Sequence, residues 1–113
     1  MKVDRFKIWS LFNGHCAYCG CELKDHSGKH MQIDHVKPIR LNGSSNEENL
    51  FPACPKCNNY KSGNSLIGFR HMLKNTENQL NRTTAYKNAI RYGMLTPPKW
   101  DGLFYFEKLG NSK

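Results

Sequence analysis

Met31-Gln32-Ile33-Asp34-His35-Val36 and Cys54-Pro55-Lys56-Cys57-Asn58-Asn59-Tyr60-Lys61 are the two stretches that decide the fold. The first alternates and is rich in strand formers, and Pro38 stops it, so it predicts a strand. Asn42-Gly43-Ser44-Ser45-Asn46 is a turn-rich loop. Asn49-Leu50-Phe51-Pro52 is short and apolar and returns as the second strand of a hairpin. Pro55 suits the first turn of a helix, where its missing N–H is not needed. That helix carries Cys57, Asn58 and Lys61 to about Ser62, with Gly63 as its stop. Strand, loop, strand and helix thus follow one another within about thirty residues.

Upstream, Cys16-Ala17-Tyr18-Cys19-Gly20 is a tight turn. Cys16 and Cys19 form one C-x-x-C pair, and Cys54 and Cys57 form another. Two such pairs around a long insert have the spacing of a four-thiolate, tetrahedral zinc site with no open position, which makes the ion structural. Two surface cysteine pairs without metal is the plainer reading. With 113 residues and only 38% apolar content, however, the core is thin and a metal staple is expected. Cys21 is left over as a small buried or free thiol, with competition with Cys19 for the site as the alternative.

Further out, Val3, Phe6, Ile8, Trp9, Leu11 and Phe12 predict an amphipathic helix over 3–13, ended by Gly14. Residues 22–30 read as polar loop. Ser65 can cap a helix whose core face is Leu66, Phe69, Leu73 and Leu80. Residues 84–92 form another helix ending at Gly93. Pro97-Pro98 breaks the chain, and Leu103-Phe104-Tyr105-Phe106 reads as a short terminal strand. The expected organisation is one α+β domain over 1–113, with a core at 14–63 and a basic helical extension at 64–113.

The formal net charge is +8, and it is uneven. Residues 1–60 hold eight Lys/Arg against six Asp/Glu, and residues 61–113 hold nine against three. A basic surplus interleaved with Tyr and Phe suits a polyphosphate partner. The start Met1-Lys2-Val3-Asp4-Arg5 is polar rather than a signal peptide, and no apolar run reaches spanning length. Together with the odd thiol count, this leads us to expect a reduced, cytoplasmic protein in a bacterial or phage-infected cell.

Ile33-Asp34-His35, Asn49-Leu50 and the run from Cys54 to Lys61 resemble the His-Asn-His (HNH) nuclease family in its zinc-stapled, ββα-metal, treble-clef-like form. The three signature positions fall at His35, Asn49 and Asn58, in steps of 14 and 9 residues. The likeness covers about residues 14–63, and the ending Phe104-Tyr105-Phe106-Glu107 looks like that of small phage-type members. This resemblance implies that His35 activates water, that Asp34 and Asn58 hold a catalytic Mg²⁺ or Mn²⁺, and that Asn49 shapes the hairpin loop and so fixes His35. The chemistry is sensible in its own right. An imidazole can take a proton from water near neutral pH, and oxygen donors with open water positions suit those two ions.

Asn rather than His at position 58 is a departure from the commonest pattern, and an amide oxygen favours harder metals. Lys61, one turn past Asn58, is a candidate phosphate contact, with a solvated helix face as the alternative. Lys37, Arg40, Arg70, Lys74, Arg82, Lys87 and Arg91 are further candidates for a surface that binds DNA backbone without reading sequence. His15, His26, His30 and His71 read as surface or structural residues. The leading expectation is a metal-dependent DNA endonuclease that nicks as a monomer, with a homodimer or phage packaging machinery as the implied protein partners. The alternative is a zinc-bound module that holds nucleic acid or docks on a larger machine and cuts nothing. That reading leaves Asp34-His35 and Asn58 without a purpose.

Overall fold

A computed structural model describes residues 3–97 and 99–110. The expectations made for Met1, Lys2 and Pro98 lie outside these residues. Two compact units divide the chain. The first runs to Leu66 and resumes at Leu103, and the second is Ile67–Gly102.

In the first unit, helix α1 spans Arg5–Leu11, shorter than the 3–13 read from periodicity. Asp4 starts it by accepting a hydrogen bond from the Lys7 N–H at 3.0 Å. Ile8 and Phe12, four apart, are buried, whereas Phe6 and Leu11 are exposed. Asn13 and Gly14 both take positive φ and turn the chain back. A side chain at Gly14 would meet the Trp9 ring at 2.8 Å, so this turn requires glycine. The cysteine knuckle follows, closed by Cys16 N–H to Cys21 C=O at 2.8 Å and Leu23 N–H to Gly14 C=O at 2.7 Å.

Strands β1 (Gln32–His35) and β2 (Leu50–Ala53) form the expected antiparallel hairpin, with Asp34 opposite Phe51 and His35 opposite Leu50. All of β2 is buried. Pro52 has no N–H to donate outward, but its carbonyl accepts from Ala17 at 2.9 Å and docks the knuckle on the sheet edge. Helix α2 (Pro55–Lys61) starts with proline in its first turn, and Ser62, at φ 53°, ends it one residue before the expected Gly63.

Residues 103–106 are not a strand. Helix α5 occupies Tyr105–Lys108, and Glu107 Oε1 accepts from the Phe104 N–H at 2.9 Å to start it. This tail belongs to the first unit rather than to the extension. Its backbone is tied to the knuckle by Tyr105 N–H to Tyr18 C=O at 3.0 Å and Phe106 N–H to Ala17 C=O at 2.8 Å. Phe104 and Phe106 are buried beside Tyr18 and Phe51. The alternation of Phe-Tyr-Phe suggested a strand, but these residues pack their aromatic rings beside the knuckle and form a helix instead.

The second unit holds most of helix α3 (Leu66–Leu80) and all of α4 (Thr84–Arg91), whose first turn is capped by Thr83 Oγ1 accepting from Tyr86 N–H at 3.3 Å. Of the expected core face only Phe69 is buried; Leu66 and Leu73 are half-buried and Leu80 is exposed. Lys74, Lys87 and Arg91 are exposed, and Arg70 donates to the Gly102 carbonyl. Among the described residues, no helix is long and apolar enough to cross a membrane.

Candidate metal and catalytic site

The four expected thiols come together. The Sγ atoms of Cys16, Cys19, Cys54 and Cys57 lie within 4.8 Å of one another, and Cys19 to Cys54 is 3.9 Å. Tetrahedral zinc with bonds of about 2.3 Å needs sulfurs about 3.8 Å apart, so the spacing fits. The electrostatics point the same way. Hydrogen bonds from Cys16 and Cys57 hold Cys19 down to about 3, while the bonds to Cys16 and Cys19 push Cys57 far above the usual thiol range. Thiols this close cannot all ionise alone, and a dication among them removes the conflict. Cys21 is exposed and lies outside the four.

From this staple, Cys54 both begins α2, accepting the Cys57 N–H at 3.4 Å, and follows β2 directly. The helix is thereby laid across one face of β1. Gln32 and Asp34, two apart on the strand, share that face. Asn58 donates its amide to Gln32 Oε1, which leaves its carbonyl oxygen for another partner. One turn on, Lys61 meets Asp34: its ammonium is 3.1 Å from Oδ2 and 3.3 Å from Oδ1, and it also donates to the His35 carbonyl at 3.1 Å. Tyr18 completes the group, donating its hydroxyl to Asp34 Oδ2 at 2.5 Å. Burial first, and then the Asp34 charge, push the Tyr18 phenol far above its ordinary range, so it stays a donor at any working pH.

Asp34 is 5% exposed and Lys61 0%. Lys61 is therefore not on a solvated helix face. Its stem is inside and its charge is committed to Asp34, because Lys61 stands three residues from Asn58 on the same helix face. Of the other candidates in this unit, Lys37 and Arg40 are exposed, and Arg40 Nε donates to the Gly63 carbonyl at 2.7 Å.

His35 leaves the opposite face of β1 and is half exposed. Its Nε2 lies 3.2 Å from Ser45 Oγ, in the loop that joins the strands. Asn49 shapes this loop with three bonds. Its Oδ1 accepts from the Lys37 N–H at 2.8 Å, and its amide donates to the carbonyls of Lys37 at 3.0 Å and Ser44 at 2.7 Å. Gly43 sits between. A Cβ there would lie 1.6 Å from the Lys37 carbonyl oxygen, which no rotamer change relieves. Gly43→Ala should therefore cost about 1–3 kcal/mol in a urea melt and displace Ser45 from His35, seen as a shift of the His35 ring resonances in NMR. Wild-type stability with unmoved resonances would show that the loop tolerates a side chain.

Tyr18, Gln32, Gly43 and Ser45 are site residues that sequence reasoning missed. Tyr18 and Gln32 act across 16 and 26 residues of chain, and no local pattern reports such contacts.

Comparison with known proteins agrees with this geometry. Residues 16–63, from the first thiol to the end of α2 and its turn, match the family model described as HNH endonuclease. That match covers under half of the chain. The chain is also similar to the SPbeta prophage-derived putative HNH endonuclease YoqL of Bacillus subtilis, at 33% identity over 83 residues, 60% of this chain and 36% of that protein. It is similar to the Septu protein PtuB of Bacillus thuringiensis, at 34% identity over 59 residues, 50% of this chain and 23% of that protein. The chain thus spans about a third and a quarter of the length of these relatives. The HNH segment contains the thiol cluster, β1, β2 and α2, and the small α+β fold around it is the ββα-metal arrangement. Tyr18, Asp34 and Lys61 all lie inside it, whereas the α5 tail that covers Tyr18 lies outside.

Proposed function

We propose that this chain is a metal-dependent endonuclease that hydrolyses phosphodiester bonds in DNA. The observation that carries the reading is the divergence of two neighbours on one strand. Asp34 turns under α2 toward the face that holds Asn58, and His35 leaves the other side toward the loop that Asn49 shapes. In-line displacement at phosphorus puts the attacking and leaving oxygens on opposite sides, so a base and a charge-neutralising site that diverge suit it.

His35 takes the proton from the attacking water, and Ser45 and the loop hold the ring in position. Asp34 and Asn58 are the donors for one Mg²⁺ or Mn²⁺. They fit it: both are oxygen donors, the carboxylate Oδ1 is met among the described residues by Lys61 at 3.3 Å, and Asn58 bonds Gln32 through its amide nitrogen rather than its carbonyl oxygen. When bound, the ion supplies positive charge to the phosphate and the leaving oxygen. The products by family precedent are a 3′-hydroxyl and a 5′-phosphate. The four thiolates hold zinc as a structural ion that sets Cys54 and hence α2. One such site cuts one strand, so a monomer nicks. The setting is the cytoplasm of a bacterial or phage-infected cell, where a second copy or packaging machinery is the natural protein partner.

Incubating the zinc-loaded protein with supercoiled plasmid, with and without Mg²⁺ or Mn²⁺ and beside His35→Ala, tests the reading. Metal-dependent nicking that falls at least 100-fold in the variant is expected, in line with the roughly 10²–10⁴ that a general base supplies. A folded, zinc-loaded protein that binds DNA and never cuts it would establish the non-catalytic module instead. Lys37, Arg40, Arg70, Lys74, Lys87 and Arg91 provide the phosphate contacts in this proposal. Lys87→Ala with Arg91→Ala should lower the slope of log affinity against log salt by about 0.9 per lost contact. An unchanged slope in a fluorescence titration would move the DNA surface elsewhere.

A further inference from the structure

The Asp34 carboxylate is neutralised from inside the protein, and this bears on how a divalent ion reaches it. Lys61 is fully buried, Asp34 and Tyr18 nearly so, and the ammonium contacts both carboxylate oxygens. We propose that Lys61 is an internal counter-ion that weakens divalent-ion binding at Asp34 until a substrate phosphate supplies compensating charge. The inference rests on the reading of Asp34 and Asn58 as the ion's donors, and it concerns what that reading leaves out.

With Lys61 and Asp34 paired, the buried group is neutral before any ion arrives. A dication at Asp34 would then sit beside a buried ammonium, and like charges so close repel strongly in a poorly polarisable interior. The ammonium cannot easily swing away, because its stem is enclosed and its third contact is the His35 carbonyl. A phosphodiester adds one negative charge at the same place and offsets the surplus. Ion and substrate therefore bind with positive coupling, each raising the affinity for the other by the same factor. Tyr18, which is neutral, stabilises the carboxylate without opposing the ion.

The test is a Mn²⁺ titration followed by electron paramagnetic resonance. It uses zinc-loaded protein carrying His35→Ala, so that a short DNA duplex is bound but not cut. Lys61→Met removes the charge. Lys61→Gln also removes it but keeps a hydrogen-bond donor, and it serves as the readout if the Met variant does not fold. The expected result is Mn²⁺ binding at least tenfold tighter in the neutral variant than with Lys61 present. The duplex should then tighten binding at least tenfold with Lys61 and less than threefold without it. Equal or weaker Mn²⁺ binding in the folded neutral variant overturns the proposal while leaving the metal reading intact. Absence of Mn²⁺ binding in every protein, with and without DNA, overturns both.

Discussion

Cys57→Ser, or treatment with a strong chelator, should unfold this domain outright. The thiolate site joins the knuckle, the end of β2 and the start of α2, since Cys16 and Cys19 come from the first and Cys54 and Cys57 from the other two. Structural zinc contributes about 10–16 kcal/mol of apparent binding free energy in small metal-folded modules. A domain of this size has a total stability of about 5–15 kcal/mol. Removing the ion therefore removes as much as the fold possesses. Loss of far-UV helix signal and collapse of amide dispersion on adding chelator, reversed by Zn²⁺ and not by Mg²⁺, is the expected outcome. A variant with wild-type melting behaviour would mean that the four thiols are not a metal site.

The second large effect should come from Asp34→Ala. Among the described residues, it leaves the buried Lys61 ammonium with the His35 carbonyl and no counter-charge. Removing one partner of such a pair costs about 3–5 kcal/mol, because an uncompensated charge remains inside. Replacing both partners together, as Asp34→Asn with Lys61→Met, removes the charge and its compensation at once and should recover most of that loss. Urea melts of the wild type, the single variant and the double variant decide the matter. If the double variant is as unstable as the single one, the pair is not what holds α2 to β1, and packing of the Lys61 stem is.

Much of this site was legible from sequence because its parts are local. Each C-x-x-C pair is a spacing rule, and the hairpin follows from alternation with a turn-rich loop between. Pro55 marks the start of α2, and Asn49 bonds residues brought close by the very turn it shapes. What escaped is long-range. The offset of Lys61 from Asn58 puts both on one helix face, but only the docking of α2 on β1 brings the ammonium to Asp34 and encloses it. Tyr18 lies inside the cysteine knuckle, and the docking of that knuckle on Pro52 brings its hydroxyl to Asp34. The tail was misread because Phe104-Tyr105-Phe106 alternates like a strand, whereas Glu107 caps a helix and the aromatics fill the space beside Tyr18.

That tail also gives the molecule a clock. Every residue of the HNH segment has been made by the time the chain reaches Gly63, yet Phe104 and Phe106, which cover Tyr18, come some 40 residues later. At synthesis rates of about 5–20 residues per second, this is a lag of roughly two to nine seconds. Throughout it the motif is present on the ribosome, but the aromatic wall behind Asp34 is open to water. A nascent chain in this interval can gather its thiols and form its hairpin without fixing the carboxylate. The aromatic cover over Tyr18 is thus added only after the second unit has been made, and a chain cut short within that unit would carry every signature residue without it.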